Sequence, residues 1–117
     1  MFTSQEFPEI FLLPGVTDMR KGINGLAAVA ATVMTDTQVL SGALFLFCSK
    51  NRKQLKTIYW DSNGFCMWQK RLEKECFFWP RNAVEVQKLS EEEMEFLLRG
   101  LDFTKYKGLP KLQYASI

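Results

Sequence analysis

Apolar and polar residues alternate in blocks that predict short strands. Residues 10–13 form an apolar run that stops at Pro14, which predicts a strand. The continuous apolar run 43–48 predicts a strand in the centre of a sheet, because it offers no polar face to solvent. Residues 49–54 are polar and of hairpin length, so residues 55–60 are predicted to return as an antiparallel partner.

Side chains on successive strand residues point to opposite faces, which divides the predicted strand 55–60 into two sets. The first face carries Leu55, Thr57 and Tyr59, and the second carries Lys56, Ile58 and Trp60.

The spacing of apolar residues predicts a helix over residues 19–34, with Thr17 or Asp18 supplying its N-cap oxygen. Gly22 and Gly25 in its early turns each cost up to about 1 kcal/mol relative to alanine. We therefore expect close packing or a close ligand at these glycines. The polar residues 35–42 predict a loop.

The segment after Asn63 and Gly64 is ambiguous between helix and strand. The spacing of Phe65, Trp68 and Leu72 favours a short helix. Residues 76–79 predict a further strand, ended by a proline.

The last predicted element is a helix with clear signals at both ends. Ser90 and Glu93 have the spacing of a capping box, and Leu89 and Met94 that of a hydrophobic staple. Gly100 is predicted to end the helix. Its buried stripe is predicted to contain Met94, Leu97, Leu98 and Leu101.

Together these elements predict an α+β fold: a small, mainly antiparallel sheet with two to three helices packed on it. The 117 residues suit a single domain, which we place at residues 10–103 between a flexible arm (1–9) and a tail (104–117). No apolar run approaches the roughly 20 residues of a membrane span. We therefore expect a cytoplasmic protein without a membrane partner; its oligomeric state is left open.

The composition argues against common catalytic chemistries. The chain has no histidine, which removes Ser–His and Cys–His pairs and the commonest transition-metal ligand. Cys48, Cys66 and Cys76 lack C-x-x-C spacing and are predicted to be buried thiols. We predict no catalytic residue, no metal site and no cofactor.

Charge is unevenly distributed despite a net charge of +2. Residues 50–74 carry seven cations and two acids, whereas residues 91–95 carry four glutamates. A basic middle is compatible with a polyanionic partner.

Two basic segments are candidate phosphate-binding sites. Arg20 and Lys21 lie beside glycines at a predicted helix N-terminus, which would suit a phosphate. The alternative is that Asp18 caps the helix and pairs with one of these cations. Arg52, Lys53 and neighbouring lysines lie on a predicted hairpin tip, which could hold a nucleic-acid backbone or simply be solvated.

Two further readings are weaker. The rings of Tyr59, Trp60 and Trp68 beside Lys70 and Arg71 would suit base stacking, but a domain of this size needs such rings in its core. Asp61 follows a strand as a metal-binding carboxylate does, and Asp18 could meet it in space. The downstream run Glu73-Lys74-Glu75 has the wrong order for a restriction-type nuclease.

Several motifs in order resemble one family, the TnpB-type accessory proteins of bacterial insertion sequences of the IS66 class, encoded beside the transposase. The resemblance covers about residues 10–103. The motifs are Thr17 to Gly22 before a Gly-Leu-Ala helix, Leu55-Lys56 leading into Tyr59-Trp60-Asp61 and Gly64-Phe65, Lys70 to Glu73, Phe77 with Trp79-Pro80, and Leu97 to Leu101.

The resemblance implies a non-catalytic role in transposition beside a separate transposase, and it brings no established site residues. We expect the protein to bind the DNA of the element ends, the transposase or other element-encoded proteins. The alternatives are a protein–protein bridging module without DNA binding and, less favoured, a divalent-metal-dependent enzyme. The predicted nucleic-acid-binding residues are Arg20, Lys21, Arg52, Lys53, Lys56, Lys70 and Arg71.

Overall fold

A computed structural model of the chain describes residues 6–80 and 85–104. The described residues form a five-stranded sheet and three helices, which confirms the α+β class. In chain order the elements are β1 (Ile10–Leu12), α1 (Ile23–Val33), α2 (Asp36–Val39), β2 (Leu44–Cys48), β3 (Gln54–Asp61), β4 (Gly64–Arg71), β5 (Gln87–Leu89) and α3 (Glu91–Leu98).

The sheet has the strand order β4-β3-β2-β1-β5 and is mainly antiparallel, as predicted. The apolar strand β2 is its middle strand. Only the β1–β2 pair is parallel, and the chain between these strands contains α1 and α2. A parallel pair needs such a crossover, whereas the short 49–53 connection imposes the antiparallel β2–β3 pairing.

Two apolar cores lie on opposite faces of the sheet, and the alternation predicted for β3 is confirmed. Leu55 belongs to a core with residues of α3 and the segment 77–79, and Tyr59 packs against that core. Ile58 belongs to the other core, with Leu26 and other residues of α1. Every residue of β2 is buried because this strand is covered on both faces.

The helix predicted after Gly64 is wrong, because the segment forms strand β4. Ser62 adopts the left-handed conformation (φ 54°), which lets the chain reverse directly after β3. The two strands then pair from Asp61↔Gly64 to Gln54↔Arg71. These eight residue pairs provide hydrogen-bond partners for the backbone groups along this edge of β3. The spacing of Phe65 and Trp68 was misleading: cross-strand partners Trp60 and Thr57 place these two rings on opposite faces.

Two further secondary-structure predictions are wrong. The predicted loop 35–42 contains α2, whose capping box joins Thr35 and Gln38. The predicted strand 76–79 pairs with no described strand, although its alternation is real, since Phe77 and Trp79 are buried and Phe78 is exposed. Isolated hydrogen bonds, rather than the regular ladder of a strand pair, hold this segment. The Trp79 indole Nε1, for example, donates to the Leu13 carbonyl oxygen at 3.0 Å.

The helix termini agree with the sequence at α3 and differ at α1. The Ser90–Glu93 capping box forms, and Gly100 (φ 78°) ends α3 in a Schellman motif. The predicted stripe residue Leu101 is 47% exposed, because the chain has already left the helix. Helix α1 starts at Ile23 without a side-chain cap, so the predicted Thr17 or Asp18 cap is wrong.

The structure contains strand β5, which no sequence pattern predicted. It also shows that a residue of the predicted arm packs on the sheet. Phe7 is buried and its ring packs edge-to-face on Tyr59, with 5.1 Å between centroids. The domain boundaries stay a prediction, and the predicted tail lies outside the described residues beyond Thr104. No described helix is long and apolar enough to cross a membrane; cytoplasmic localisation stays a prediction.

Candidate nucleic-acid interface

Three chain segments meet at the end of the sheet where β2 ends, β3 begins and β4 ends. The Thr17 backbone N–H donates to the Cys48 carbonyl at 2.9 Å, which brings residues 17–21 to this end. The Phe77 N–H donates to the Arg52 carbonyl at 2.7 Å, which brings residues 72–77 to the connection 49–53. We call this region the cationic end; it carries Arg20, Lys21, Lys50, Arg52, Lys53, Arg71 and Lys74.

Side chains of the connection 49–53 fix its shape. The Ser49 hydroxyl donates to Oδ1 of Asn51 at 2.7 Å, and the same oxygen accepts the Lys53 N–H at 3.0 Å. Arg52 takes the left-handed conformation (φ 60°), an uncommon one for a residue with a long side chain. This geometry leaves Lys50 exposed and Arg52 and Lys53 half-buried.

Arg20 is paired with the Asp18 carboxylate on an exposed surface. Its guanidinium donates to both carboxylate oxygens of Asp18, with Nη2 to Oδ2 at 2.8 Å. These hydrogen bonds hold the pKa of Asp18 at about 2, below its usual 3.8. The sequence left open a phosphate site or an Asp18 that both caps α1 and pairs with a cation. The pair with Arg20 is confirmed, the cap on α1 is wrong, and phosphate binding at this segment stays a prediction.

The Asp18–Arg20 pair makes a testable prediction for pH dependence. We expect the Asp18 carboxyl to titrate near pH 2 in the wild type and at a higher pH, closer to 3.8, in Arg20→Ala, which keeps only the backbone N–H of residue 20 as a donor. Carboxyl carbon NMR follows the titration. Because the folded pKa is lowered, any stabilisation by the pair is present above pH 3.8 and is lost as the pH falls through about 2. Lys88→Ala, which removes the cation paired with Glu9, is the control variant and should leave the Asp18 midpoint unchanged. Equal Asp18 midpoints in the wild type and Arg20→Ala would contradict the pairing.

Lys56 and Lys70 bind backbone carbonyls on opposite faces of the sheet. Buried Lys56 donates from Nζ to the carbonyl oxygens of Met19 at 2.6 Å and Lys21 at 3.1 Å. Lys70 donates from Nζ to the Leu98 carbonyl at 2.8 Å, where a cation is favoured by the C-terminus of α3. Both ammonium groups thus hold neighbouring segments in place.

The remaining predicted cations fall into two groups. Arg71 pairs with Glu73 at 3.3 Å on a highly exposed surface. Lys21 and Lys53, by contrast, form no ion pair with a described carboxylate, and nor do Lys50, Arg52 and Lys74. The structure therefore brings together five cations that are unpaired within residues 6–80 and 85–104. Two of them, Lys50 and Lys74, were counted in the basic middle but absent from the predicted set.

Gly25 has a packing role close to these cations. A β-carbon at this position would lie 3.1 Å from Cβ and 3.3 Å from Cγ of Lys21. The glycine therefore lets the stem of Lys21 lie against the first turn of α1. The close packing expected at both glycines is found at Gly25 but not at Gly22, where a β-carbon would meet nothing within 4 Å.

The candidate stacking rings do not form a surface at the cationic end. Trp60 contacts Phe65 edge-to-face, with 5.1 Å between centroids, near the far end of β3. Tyr59 and Trp68 are partly buried against the apolar core that includes Leu55. The reading of these two rings as core residues is confirmed.

The carboxylate pair considered for a metal site does not assemble. Asp18 lies near Gln54, at the start of β3, whereas Asp61 ends that strand. Seven residue steps of about 3.3 Å put some 23 Å between these two ends. Within residues 6–80 and 85–104, no three cysteine or acidic side chains form a candidate metal cluster. Burial raises the pKa of the Cys48 thiol to about 12, which disfavours its thiolate near neutral pH.

The fold and this site define a class of small α+β proteins. Their sheet is covered by an apolar core on each face and has a cationic end. The family described as "IS66 Orf2 like protein" matches residues 8–108. The chain belongs to this family, which confirms the resemblance noted from the sequence.

Two relatives come from Sinorhizobium fredii. The chain is similar to uncharacterized protein y4jC, with 34% identity over 80% of this chain and 79% of the relative. It is also similar to uncharacterized protein y4hO, with 32% identity over 88% of this chain and 89% of the relative. No solved structure matches the chain.

Proposed function

We propose that this transposition accessory protein binds DNA through its cationic end, without catalysing a reaction. Membership of the family supports the role in transposition, beside other element-encoded proteins. One observation carries the DNA-binding part: five cations that pair with no carboxylate of the described residues gather where three chain segments meet. The contacts are to phosphates, so they fix position on DNA without reading its sequence.

The free energy of such contacts comes largely from the release of counterions. Each phosphate neutralised by a cation contributes about 0.9 to the slope of log K against log salt for duplex DNA. Lys21, Lys50 and Lys53 are suited to a test, because they lie at the cationic end and their ammonium groups form no hydrogen bond or ion pair with a described residue. Lys56 is left out of the test because its ammonium group holds the segment before α1.

We predict that the triple variant Lys21→Ala/Lys50→Ala/Lys53→Ala reduces the salt slope of duplex binding by up to about 2.7. Affinity for all duplex sequences should fall together, since phosphate contacts carry no sequence information. The measurement is fluorescence anisotropy with element-end DNA and a scrambled duplex at several salt concentrations. Circular dichroism checks that the variant is folded.

Lys88→Ala is the control variant. Lys88 lies on β5, at the opposite edge of the sheet from β4, and pairs with Glu9. Its replacement should leave the slope unchanged. A triple variant that binds DNA with the wild-type slope would disprove the proposed interface.

The bridging alternative has one observation in its favour, the exposed apolar side chains of Val33 and Leu40 around α2. It predicts no DNA binding by the protein alone and binding to the transposase that is lost in Val33→Ser/Leu40→Ser. Running the DNA assay with and without transposase separates the two functions. We propose that the protein binds the transposase as well as DNA.

A further inference from the structure

A cavity of about 370 Å³ opens beside the cationic end, between the 49–53 connection and the end of α3. Its walls are Arg52, Glu75, Cys76, Phe77, Phe78 and Gly100. Gly100 gives the acid room, because a β-carbon there would lie 3.1 Å from Oε2 of Glu75. The cavity thus has a cation on one wall, a carboxylate on another and an aromatic ring that is 46% exposed.

Two features of Arg52 lower the stability of the folded state. Its Nε atom is buried and has no hydrogen-bond partner among the described residues. A buried donor without a partner and a left-handed backbone each disfavour the folded state. Glycine or asparagine would suit this backbone better. A residue that stability does not favour, lining a cavity, indicates a binding role.

The cavity's chemistry restricts its occupant. A carboxylate would pair with Arg52 but be repelled by Glu75. An ammonium group would pair with Glu75 but be repelled by Arg52. A neutral group that offers both an acceptor and donors avoids both conflicts. Phe78 adds a requirement for a flat face, since exposed rings beside cations stack on bases.

We propose that this cavity takes an unpaired guanine base of single-stranded DNA. Guanine O6 is an acceptor that arginine commonly binds, and N1–H and N2–H are donors for the carboxylate of Glu75. Those donors face cytosine in a duplex, so the base must be unpaired to use them. The flanking phosphates lie within the reach of Lys50, Lys53 and Lys74 on the neighbouring segments, so the inference rests on the proposed DNA-binding function.

The experiment compares labelled oligothymidine of about twelve nucleotides with versions that carry one central guanine, inosine or adenine. We expect the guanine version to bind the wild type at least about fivefold tighter than oligothymidine, the lower end of the discrimination given by one good bidentate pair to a base edge. Phe78→Ala should abolish this difference and leave oligothymidine binding unchanged. Glu75→Gln should narrow the preference for guanine over inosine, which lacks the N2 amino group.

Met67→Ala is the matched control, because Met67 is an exposed apolar residue of β4 outside the cavity. It should keep the full guanine preference. Thermal unfolding checks that Phe78→Ala and Glu75→Gln are folded.

The outcomes separate this inference from the proposed function. Salt-dependent binding of duplex and oligothymidine with no guanine preference would overturn the cavity's role and leave DNA binding standing. Absence of binding to every DNA would overturn both. A Phe78→Ala variant that keeps its guanine preference but no longer binds transposase would assign the cavity to a protein partner, and so overturn the base-binding inference.

Discussion

Phe77→Ala is expected to lower the free energy of unfolding by about 3–5 kcal/mol, as is usual when a buried phenylalanine is truncated. Phe77 is fully buried and belongs to the core that α3 covers, although its segment has no regular secondary structure. Its backbone N–H also ties the segment to the 49–53 connection. Since small domains are stable by only about 5–15 kcal/mol, a large part of the total would be lost. Urea unfolding followed by tryptophan fluorescence measures the change.

Phe78→Ala is the matched control for this prediction. The two residues are adjacent and chemically identical, but Phe78 is 46% exposed. Its truncation should cost less than about 1 kcal/mol, as for most surface changes. Equal losses for the two variants would contradict the described burial of the segment. The same result decides whether Phe78→Ala is a sound variant for the guanine experiment.

Lys56→Met is expected to lower the free energy of unfolding by about 2–4 kcal/mol. Methionine keeps the apolar stem of the side chain but removes the donor shared by the Met19 and Lys21 carbonyls. Hydrogen bonds to a charged group contribute about 1.5–3 kcal/mol each, and water can replace part of this loss near the surface. The segment before α1 should also loosen, so the Lys21 amide, which donates to the Asp18 carbonyl, should exchange its hydrogen faster.

Lys53→Met provides the comparison, because the same substitution falls three residues away on a side chain that forms no hydrogen bond or ion pair with a described residue. It should change stability by less than about 0.5 kcal/mol and leave exchange at residue 21 unaltered. If Lys56→Met unfolded at the wild-type urea concentration, the assigned role of this lysine would be wrong. A loss of DNA affinity in Lys56→Met alone would then make it a phosphate contact, as the sequence predicted.

The comparison of Lys56 with Lys53 shows why the site was only partly predictable. Both lysines lie in one basic run, and nothing in that run indicates which ammonium group points to solvent. Lys56 meets carbonyls 35 and 37 residues earlier in the chain. Lys70 likewise meets one 28 residues later. Such partners depend on how the helices cover the sheet, which local spacing does not encode.

The wrong helix prediction at residues 65–72 has a similar origin. The spacing of Phe65, Trp68 and Leu72 suits a helix, but a strand that follows a two-residue turn satisfies the whole edge of β3. Backbone hydrogen bonds to a neighbouring strand therefore outweighed local periodicity. At residues 76–79 the opposite happened: strand-like alternation is present, yet no described strand lies beside it to complete a ladder.

The sequence by itself determined the features that depend on nearby residues. These are the two-sided alternation of β3, the fully apolar strand β2, the β2–β3 hairpin, and the capping box and glycine stop of α3. Only the tertiary structure decided that Lys56 and Lys70 hold distant carbonyls and which cations gather beside the cavity. The reason is physical: caps, turns, alternation and the Asp18–Arg20 pair are satisfied within a few residues, whereas the partners of Lys56 and Lys70 lie on segments that meet only after the chain has folded.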